Sequence, residues 1–344
     1  MIVRKTNPPA SSKPTVTIGA ILPLSGELSH VGRDVKKAIT FAVNKFNENP
    51  ENVLNYKLAI EDDQAKPTKT VIALQKLLCA YDLSAVLSVF SRPGRVLQPL
   101  VIREKLIHFA TMCSHVSDGE YTFNNFETTE EFVPATYEFI ESRGFDNIAI
   151  MFHDNESGQE LLDAFRLGFK EKRIPFGEYN FKIGDKDFSQ TVAKLKTGKH
   201  DLILLYGLMP ELGLINKELV RQKVKVPVLG YDIFEVGGFD SSLFDGYFEV
   251  GVHENQAWMK EIGLGSSYRA DYVYDSINII MQTYERAGKG LGRVPMADEF
   301  RDALYEVRVF EGITGKSILK RSGKFVSKTY LKQVVNGKIV MLDE

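Results

Sequence analysis

The chain has 344 residues, with 43 Lys plus Arg against 45 Asp plus Glu, a net charge of -2, and 44% hydrophobic residues. At ~150 residues per domain this is about two domains, long enough to bury a large core without a disulfide staple. The balanced charge argues against a nucleic-acid groove or a basic membrane-surface patch, and with no run of 18 or more apolar residues no helical membrane span is expected.

Residues 1–14 (MIVRKTNPPASSKP) are polar and Pro-rich, which predicts a flexible tail. The stretch has no apolar segment after its basic residues, so as it stands it is not a signal peptide. Either the chain works in the cytosol, or an export signal was removed and a start Met added. Val16–Leu22 is a short apolar run ended by Pro23 and Gly26, a buried strand. Val35, Ala38, Ile39, Ala42, Val43 and Phe46 then form one apolar helical stripe. Tyr56–Ile60 is a second strand, ending in Glu61-Asp62-Asp63. Pro67 suits the first turn of the next helix, whose inner face is Val71, Leu74, Leu77 and Leu78. Ala85–Phe90 is strand three, Pro93 opens a helix with Val96, Leu97, Leu100 and Val101 inward, and Ile107–Thr111 is strand four.

A polar and aromatic loop, Ser114–Glu127, leads to a second run. Phe132, Ala135, Phe139 and Ile140 mark a helix, Ile148–Phe152 a strand, and Leu161, Leu162, Phe165 and Phe169 another helix. Tyr179–Phe181 is a strand, and Val192 and Leu195 mark a short helix. Leu202–Tyr206, Leu212–Val220, Val226–Leu229 and Tyr247–Val252 read as strand, helix, strand, strand. Two helices follow together, Tyr268–Arg286 and Met296–Val307. The alternating tail Phe325–Met341 carries Asn336-Gly337, a strong hairpin turn signal. Two βα runs of this kind predict an α/β protein with two doubly wound parallel-sheet lobes. The later helices and hairpin have no third core, so they return to complete the two sheets. That return requires a multi-strand hinge.

Catalytic and metal signatures are sparse. Cys79 and Cys113 are not at metal-ligand spacing, and two buried free thiols are expected in preference to a bridge. None of the six His residues pairs at helix-face metal spacing, and His108 reads as a satisfied core residue in a strand. Neither a G-x-S-x-G elbow nor a G-x-G-x-x-G fingerprint is present. Gly315-Lys316-Ser317 ends like a phosphate loop, but Phe310 stands where that loop needs Gly, so the segment reads as a turn. Asp62-Asp63 lacks a second acidic cluster and reads as a strand end or a cap for the Pro67 helix. No enzyme, cofactor or metal is predicted.

Ligands in open α/β sheets sit at strand C-termini. There stand Ser25-Gly26, Ser91 and Arg92, Met112-Cys113-Ser114, Asn155-Glu156-Ser157-Gly158, Leu208-Met209 and Tyr231-Asp232. Ser91 and Arg92 at a helix start suit an anion such as a carboxylate, against the plainer readings of helix cap and rim salt bridge. Asp232 suits an ammonium, or is a plain loop carboxylate.

The opening VTIGAILPLSGELSHVGRDVKKAITFAVNKFN resembles that of solute-binding proteins of the leucine/isoleucine/valine-binding type, as does YKLAIEDDQAKPTKTVIALQKLL. IAIMFHDNESGQELLDAFRLGFK, DFSQTVAKLK, DLILLYGLMPELG and YVYDSINIIMQTYERAG are similar to later parts of the same family. The resemblance implies a type I periplasmic-binding-protein clamshell with a ligand in an interlobe cleft. Its expected divisions are a tail 1–14, lobe 1 at 15–121 plus 252–325, and lobe 2 at 122–251 plus 326–344. Position by position, Ser91 and Arg92 fall where the family holds the ligand carboxylate. Ser114 falls at a second hydroxyl contact with Met112 and Cys113 beside it, and Asp232 falls where an acid meets the ligand ammonium. Ser157 lies near a position often aromatic. Arg92 replaces a small hydroxyl residue, Leu208 an aromatic, and Val31 the usual first-loop aromatic. The implied function is an extracytoplasmic solute-binding protein of an ABC transporter, delivering an amino acid or related organic acid to a membrane permease. The export signal would be absent from this sequence. The alternative is the same clamshell as a sensing domain of a receptor or cytosolic regulator.

Overall fold

The computed structural model describes residues 13–113, 116–231, 234, 241–252, 256–264 and 269–342. In chain order the elements are β1 (Thr15–Leu22), α1 (Ser29–Asn47), β2 (Asn55–Asp62), α2 (Pro67–Ala80), β3 (Ala85–Val89), α3 (Ser91–Glu104), β4 (Ile107–Thr111) and β5 (Thr122–Asn125). There follow α4 (Thr129–Arg143), β6 (Ile148–His153), α5 (Glu156–Lys172), β7 (Phe176–Phe181), α6 (Ser189–Thr197), β8 (Leu202–Tyr206), α7 (Glu211–Arg221), β9 (Val228–Tyr231) and β10 (Phe248–Gly251). Last come α8 (Gln256–Glu261), α9 (Ala270–Gly288), α10 (Ala297–Val307), β11 (Val309–Gly312), β12 (Gly315–Leu319), β13 (Lys324–Ser327), β14 (Tyr330–Val335) and β15 (Lys338–Met341). The chain separates into two compact units. Unit 1 is Met1–Asn125, Tyr272–Phe310 and Ile318–Phe325; unit 2 is Phe126–Asp271, Glu311–Ser317 and Val326–Glu344.

In the first sheet the strand order is β11-β12-β13-β5-β4-β3-β1-β2, with β2 through β5 and β13 joined by parallel pairings. β3 and β4 are buried along their whole length and read as mostly apolar runs, with Ser88, His108 and Thr111 as their buried polar members. The predicted α1 stripe is buried, and Phe46 at its end packs edge-on against Tyr56 at 5.2 Å. β5 was not predicted. Its Thr-Phe-Asn-Asn sequence looks like a loop, yet all four residues are buried. The Asn124 amide donates to the carbonyls of Ala110 and Cys113, and the Asn125 amide to Ser276 Oγ. These bonds replace the water that the two amides would otherwise need. His108 is buried as expected, 2.8 Å from Ser88 Oγ through Nε2, and burial pulls its pKa down to about 3.

Asp62 and Asp63 fasten loops at the end of β2, and neither caps α2 as considered above: the cap position is Lys66, without a side-chain cap bond, and Asp63 is buried rather than solvated. Asp62 Oδ1 accepts the N–H groups of Leu24, Ser25 and Gln64, and Ser25 Oγ donates to Oδ2. Asp63 accepts from Ala65 N–H and from Thr70 in the first turn of α2. Partial burial raises the Asp62 pKa, but the bonds from Ser25, Gln64 and Leu24 outweigh it and hold the carboxyl below the usual range. A carboxylate of lowered folded-state pKa adds stability that is full above its unfolded pKa of ~3.9 and is lost as pH falls through the folded value. Asp62→Asn is therefore expected to cost about 1 kcal/mol at pH 7, with a smaller gap to wild type in acid, once pH has fallen below the ordinary carboxylate value of ~3.9. Urea unfolding at the two pH values measures it.

In the second sheet the order is β15-β14-β10-β9-β8-β6-β7. Strands β6 to β10 pair in parallel, but β14 runs antiparallel to β10 and β15 to β14, so this sheet is mixed and not purely parallel as predicted. The hairpin turns at Asn336 and Gly337, both at positive φ (52° and 68°), as that dipeptide implies. Alternate residues of β6 and β8 serve opposite faces. Ala149, Met151, Ile203 and Leu205 pack with α6 and α7, while Ile148, Ile150, Phe152, Leu202 and Leu204 pack with α4 and α5.

Several expectations change. Residues 252–271, assigned to lobe 1, lie in unit 2. Lys332 Nζ donates to the Val252 carbonyl at 2.8 Å, and Arg269 pairs with Glu127, which ties the segment there. Glu311–Ser317 also clusters with unit 2, where Ser317 Oγ lies 3.1 Å from Ser327 Oγ. The Gly315-Lys316-Ser317 stretch opens β12 after a tight turn from β11. Neither cysteine forms a disulfide, and only Cys113 is buried; Cys79 is exposed on α2. Of the predicted tail 1–14, residues 1–12 lie outside the described residues.

Candidate functional site

β6, β8 and β9 end at His153, Tyr206 and Tyr231, and all three final residues line one recess in unit 2. The chain leaves β6 through Asn155, an extended residue (φ -136°, ψ 179°) that caps α5. Its Oδ1 accepts Gly158 N–H at 2.9 Å and Ser157 Oγ–H at 3.0 Å. A helix start with a side-chain acceptor two to three residues back is the standard solution for the first unbonded N–H groups. Gly158 has no Cβ because the His153 carbonyl oxygen would stand 1.9 Å from it.

The recess has a volume of about 540 Å³, part of it open solvent. Phe126, Phe132, Tyr206, Leu208 and Tyr231 make its apolar wall. The rings of Phe132 and Tyr231 lie 5.3 Å apart, and those of Tyr206 and Tyr231 6.1 Å apart. Asn155, Ser157 and His153 supply polar atoms, and Glu127 and Arg269 a buried ion pair. Arg269 Nη2 is 3.6 Å from Glu127 Oε1 and 3.8 Å from Asp271 Oδ2. Burial pushes the Tyr231 and Tyr206 phenols up, against smaller downward effects from Thr136 and Ser157 respectively. Burial likewise pulls the His153 pKa down, more than Glu211, Asp154 and Asp185 raise it. The wall therefore offers neutral hydroxyl, amide and imidazole groups beside one ion pair. That set suits holding a small polar molecule with an apolar body.

Two sequence-predicted residues, Ser157 and Leu208, meet in this recess. Ser114 and Asp232 lie outside the described residues. In unit 1, Ser91 and Arg92 begin α3 directly after Phe90, which is held at φ 74° and ψ 151°. Phe90 is the cap position and has no side-chain cap bond, so Ser91 is not the plain cap considered above. Ser91 is half-buried and Arg92 exposed. Met112 has φ 51° and is buried, and Cys113 is buried with Ala110 and Val116, its carbonyl and Sγ receiving the Asn124 amide. These two side chains thus belong to the core of unit 1. Asn155 and Tyr231, named above only as strand-end residues, also line the recess, whereas sequence reasoning did not single out Phe126, Glu127, Phe132, His153, Tyr206, Gly207 or Arg269. The strand ends signal two of these, His153 and Tyr206; Arg269, in a loop, carries no sequence signal. Among the described residues, no three His, Cys, Asp or Glu side chains are grouped to hold a metal ion, and no helix is long and apolar enough to cross a membrane.

Comparison with known proteins gives a consistent picture. The sequence pattern of the periplasmic binding protein family matches residues 15–338. A Leu/Ile/Val-binding protein homolog 3 of Brucella melitensis is 23% identical over 350 positions, covering 95% of this chain and 94% of that one. The branched-chain amino acid transporter substrate-binding protein LivJ of Streptococcus pneumoniae, solved with isoleucine, superposes with a TM-score of 0.77 at 18% identity, covering 95% of this chain and 99% of that one. An ABC-transporter solute-binding protein of Rhodopseudomonas palustris, solved with 3,4-dihydroxybenzoic acid, gives 0.77 at 17% identity, covering 95% and 96%.

Proposed function

The chain belongs to the periplasmic binding protein family and has the type I fold of that family, and from that premise we propose that it is the extracytoplasmic solute-binding component of an ABC transporter. Its cargo is a small carboxylate-bearing molecule, an amino acid or related organic acid, which it passes unreacted to a membrane permease. The unit 2 recess at the ends of β6, β8 and β9 is the observation that carries this reading. It is concave, combines an apolar wall with a comparable share of polar groups, and places several of those groups at strand C-termini, where open α/β sheets bind ligands. Ser157 and Leu208 are its proposed contacts from the original set.

Ser91 and Arg92 are proposed to bind the carboxylate. An exposed guanidinium at the first turn of a 14-residue helix adds a full charge to the positive end of the helix dipole. Ser114 and Asp232 keep their proposed roles as a hydroxyl contact and an ammonium contact. Met112 and Cys113 immediately precede Ser114 in the chain and keep their proposed place beside it.

Isothermal titration tests this with L-leucine, L-isoleucine, L-valine, 3,4-dihydroxybenzoate and a wider panel of amino and organic acids. Saturable binding by at least one member is expected, together with a rise in Tm. Absence of heat and of any Tm shift across the panel removes the reading. For the acid that binds tightest, Arg92→Ala is expected to weaken Kd tenfold or more, of order 1.5–3 kcal/mol. An unchanged Kd assigns Arg92 to the surface alone.

A further inference from the structure

The hydrogen bonds around α5 fix which nitrogen of His153 carries the proton. One terminal atom of the Asn155 amide accepts from Gly158 N–H and from Ser157 Oγ–H, so that atom is the oxygen. The other is then Nδ2, which lies 3.2 Å from His153 Nδ1. An amide nitrogen only donates, so Nδ1 presents a lone pair, and the neutral ring carries its proton on Nε2. The ring itself is held by stacking on Phe181, with centroids 5.2 Å apart and planes at 17°. His153 is 1% exposed and forms part of the recess wall, and Nε2 has no hydrogen-bond partner among the described residues. A buried donor in that condition is unfavourable until an acceptor arrives. The nearby hydroxyls are already engaged, Ser157 with Asn155 and Tyr231 with Thr136; the rest of the wall is Phe126, Phe132, Tyr206, Gly207 and Leu208 beside the Glu127–Arg269 pair, and of the carboxylates whose charge acts on the ring (Glu211, Asp154 and Asp185), Glu211 already accepts from Gly184 N–H.

We infer that His153 selects the solute by donating its Nε2–H to an oxygen carried on the apolar body of the molecule, away from the acid group. This rests on the solute-binding reading above and narrows it. The preferred cargo is an acid whose apolar or aromatic body bears a hydroxyl, carbonyl or amide oxygen. An aliphatic side chain such as that of valine or leucine leaves the donor unmatched, and a site built around a hydrogen bond rejects such an analogue.

Two measurements on the full chain test it. Histidine ¹⁵N NMR without added solute at pH 7 is expected to show His153 as the Nε2–H tautomer; the Nδ1–H tautomer overturns the inference. Titration then compares three shape-matched pairs: L-valine with L-threonine, L-leucine with L-asparagine, and benzoate with 4-hydroxybenzoate. In at least one pair the oxygen-bearing member is expected to bind tenfold or more tighter. If pairs bind and the oxygen makes no difference, this inference fails while the solute-binding reading stands. If nothing in either panel binds, both fail. For the tightest acid of the two panels, His153→Phe, which keeps a ring on Phe181, is expected to lose tenfold or more. His153→Gln, whose amide N–H reaches the Nε2 position, is expected to recover most of that loss. Full affinity in His153→Phe, or no recovery in a folded His153→Gln, overturns it.

Discussion

Gly158→Ala is expected to destabilise unit 2 by about 3 kcal/mol or more, a loss readable as a lower urea midpoint. A Cβ at this position would sit 1.9 Å from the His153 carbonyl oxygen and 3.1 Å from its carbon. Both are backbone atoms, so no rotamer change relieves the clash. β6 lies between β7 and β8 in the sheet and is held by both ladders. The start of α5 must therefore move, which breaks the bonds from Gly158 and Ser157 to Asn155. Gly213 in α7 is the control, since its added Cβ would meet only the Met209 side chain, at 3.3 Å. Gly213→Ala is expected to be neutral or to gain up to ~1 kcal/mol from helix propensity. Equal stability of the two variants would mean that the close approach at Gly158 is not real.

Arg269→Met is expected to cost about 3–5 kcal/mol, the usual result of removing one member of a buried ion pair. Arg269, Glu127 and Asp271 have side chains only 3%, 2% and 1% exposed. The substitution keeps much of the volume but leaves two buried carboxylates without the cation that stands beside both. Adding Glu127→Gln to Arg269→Met should restore part of the loss, because one of those carboxylates then becomes neutral. Urea denaturation of the two single variants and the double variant gives the coupling. A loss below about 1 kcal/mol for Arg269→Met would show that the cluster is solvated in solution.

Both results bear on what the amino-acid sequence makes legible. β4 and β8 match their predicted spans residue for residue, because strands covered on both faces become mostly apolar runs, unbroken in Leu202–Tyr206 and interrupted in β4 by His108 and Thr111. β7 is an edge strand with mostly half-exposed side chains, so only its last three residues carried a strand signal. β5 stayed hidden because the amide N–H groups of its asparagines are taken up by partners that only folding brings near, Ser276 among them. The same limit applies to the recess. Ser157 and Leu208 follow strands and are visible as strand-end residues. His153 and Tyr206 close their strands and merge with the apolar pattern before them, whereas Tyr231 stands beyond the predicted strand end at Leu229. Glu127 and Arg269 belong to segments far apart in the chain, and only folding brings their charges within 4 Å.

The late strands have a consequence for biosynthesis. β13 joins the first sheet beside β5, and β14 joins the second beside β10. A nascent chain still attached to the ribosome at about residue 320 thus leaves β5 and β10 as raw edges, each able to pair with a neighbouring chain. Final folding must wait until translation has passed both strands. Until then both sheets keep an open edge, and a premature stop codon in this stretch leaves both unfinished at once.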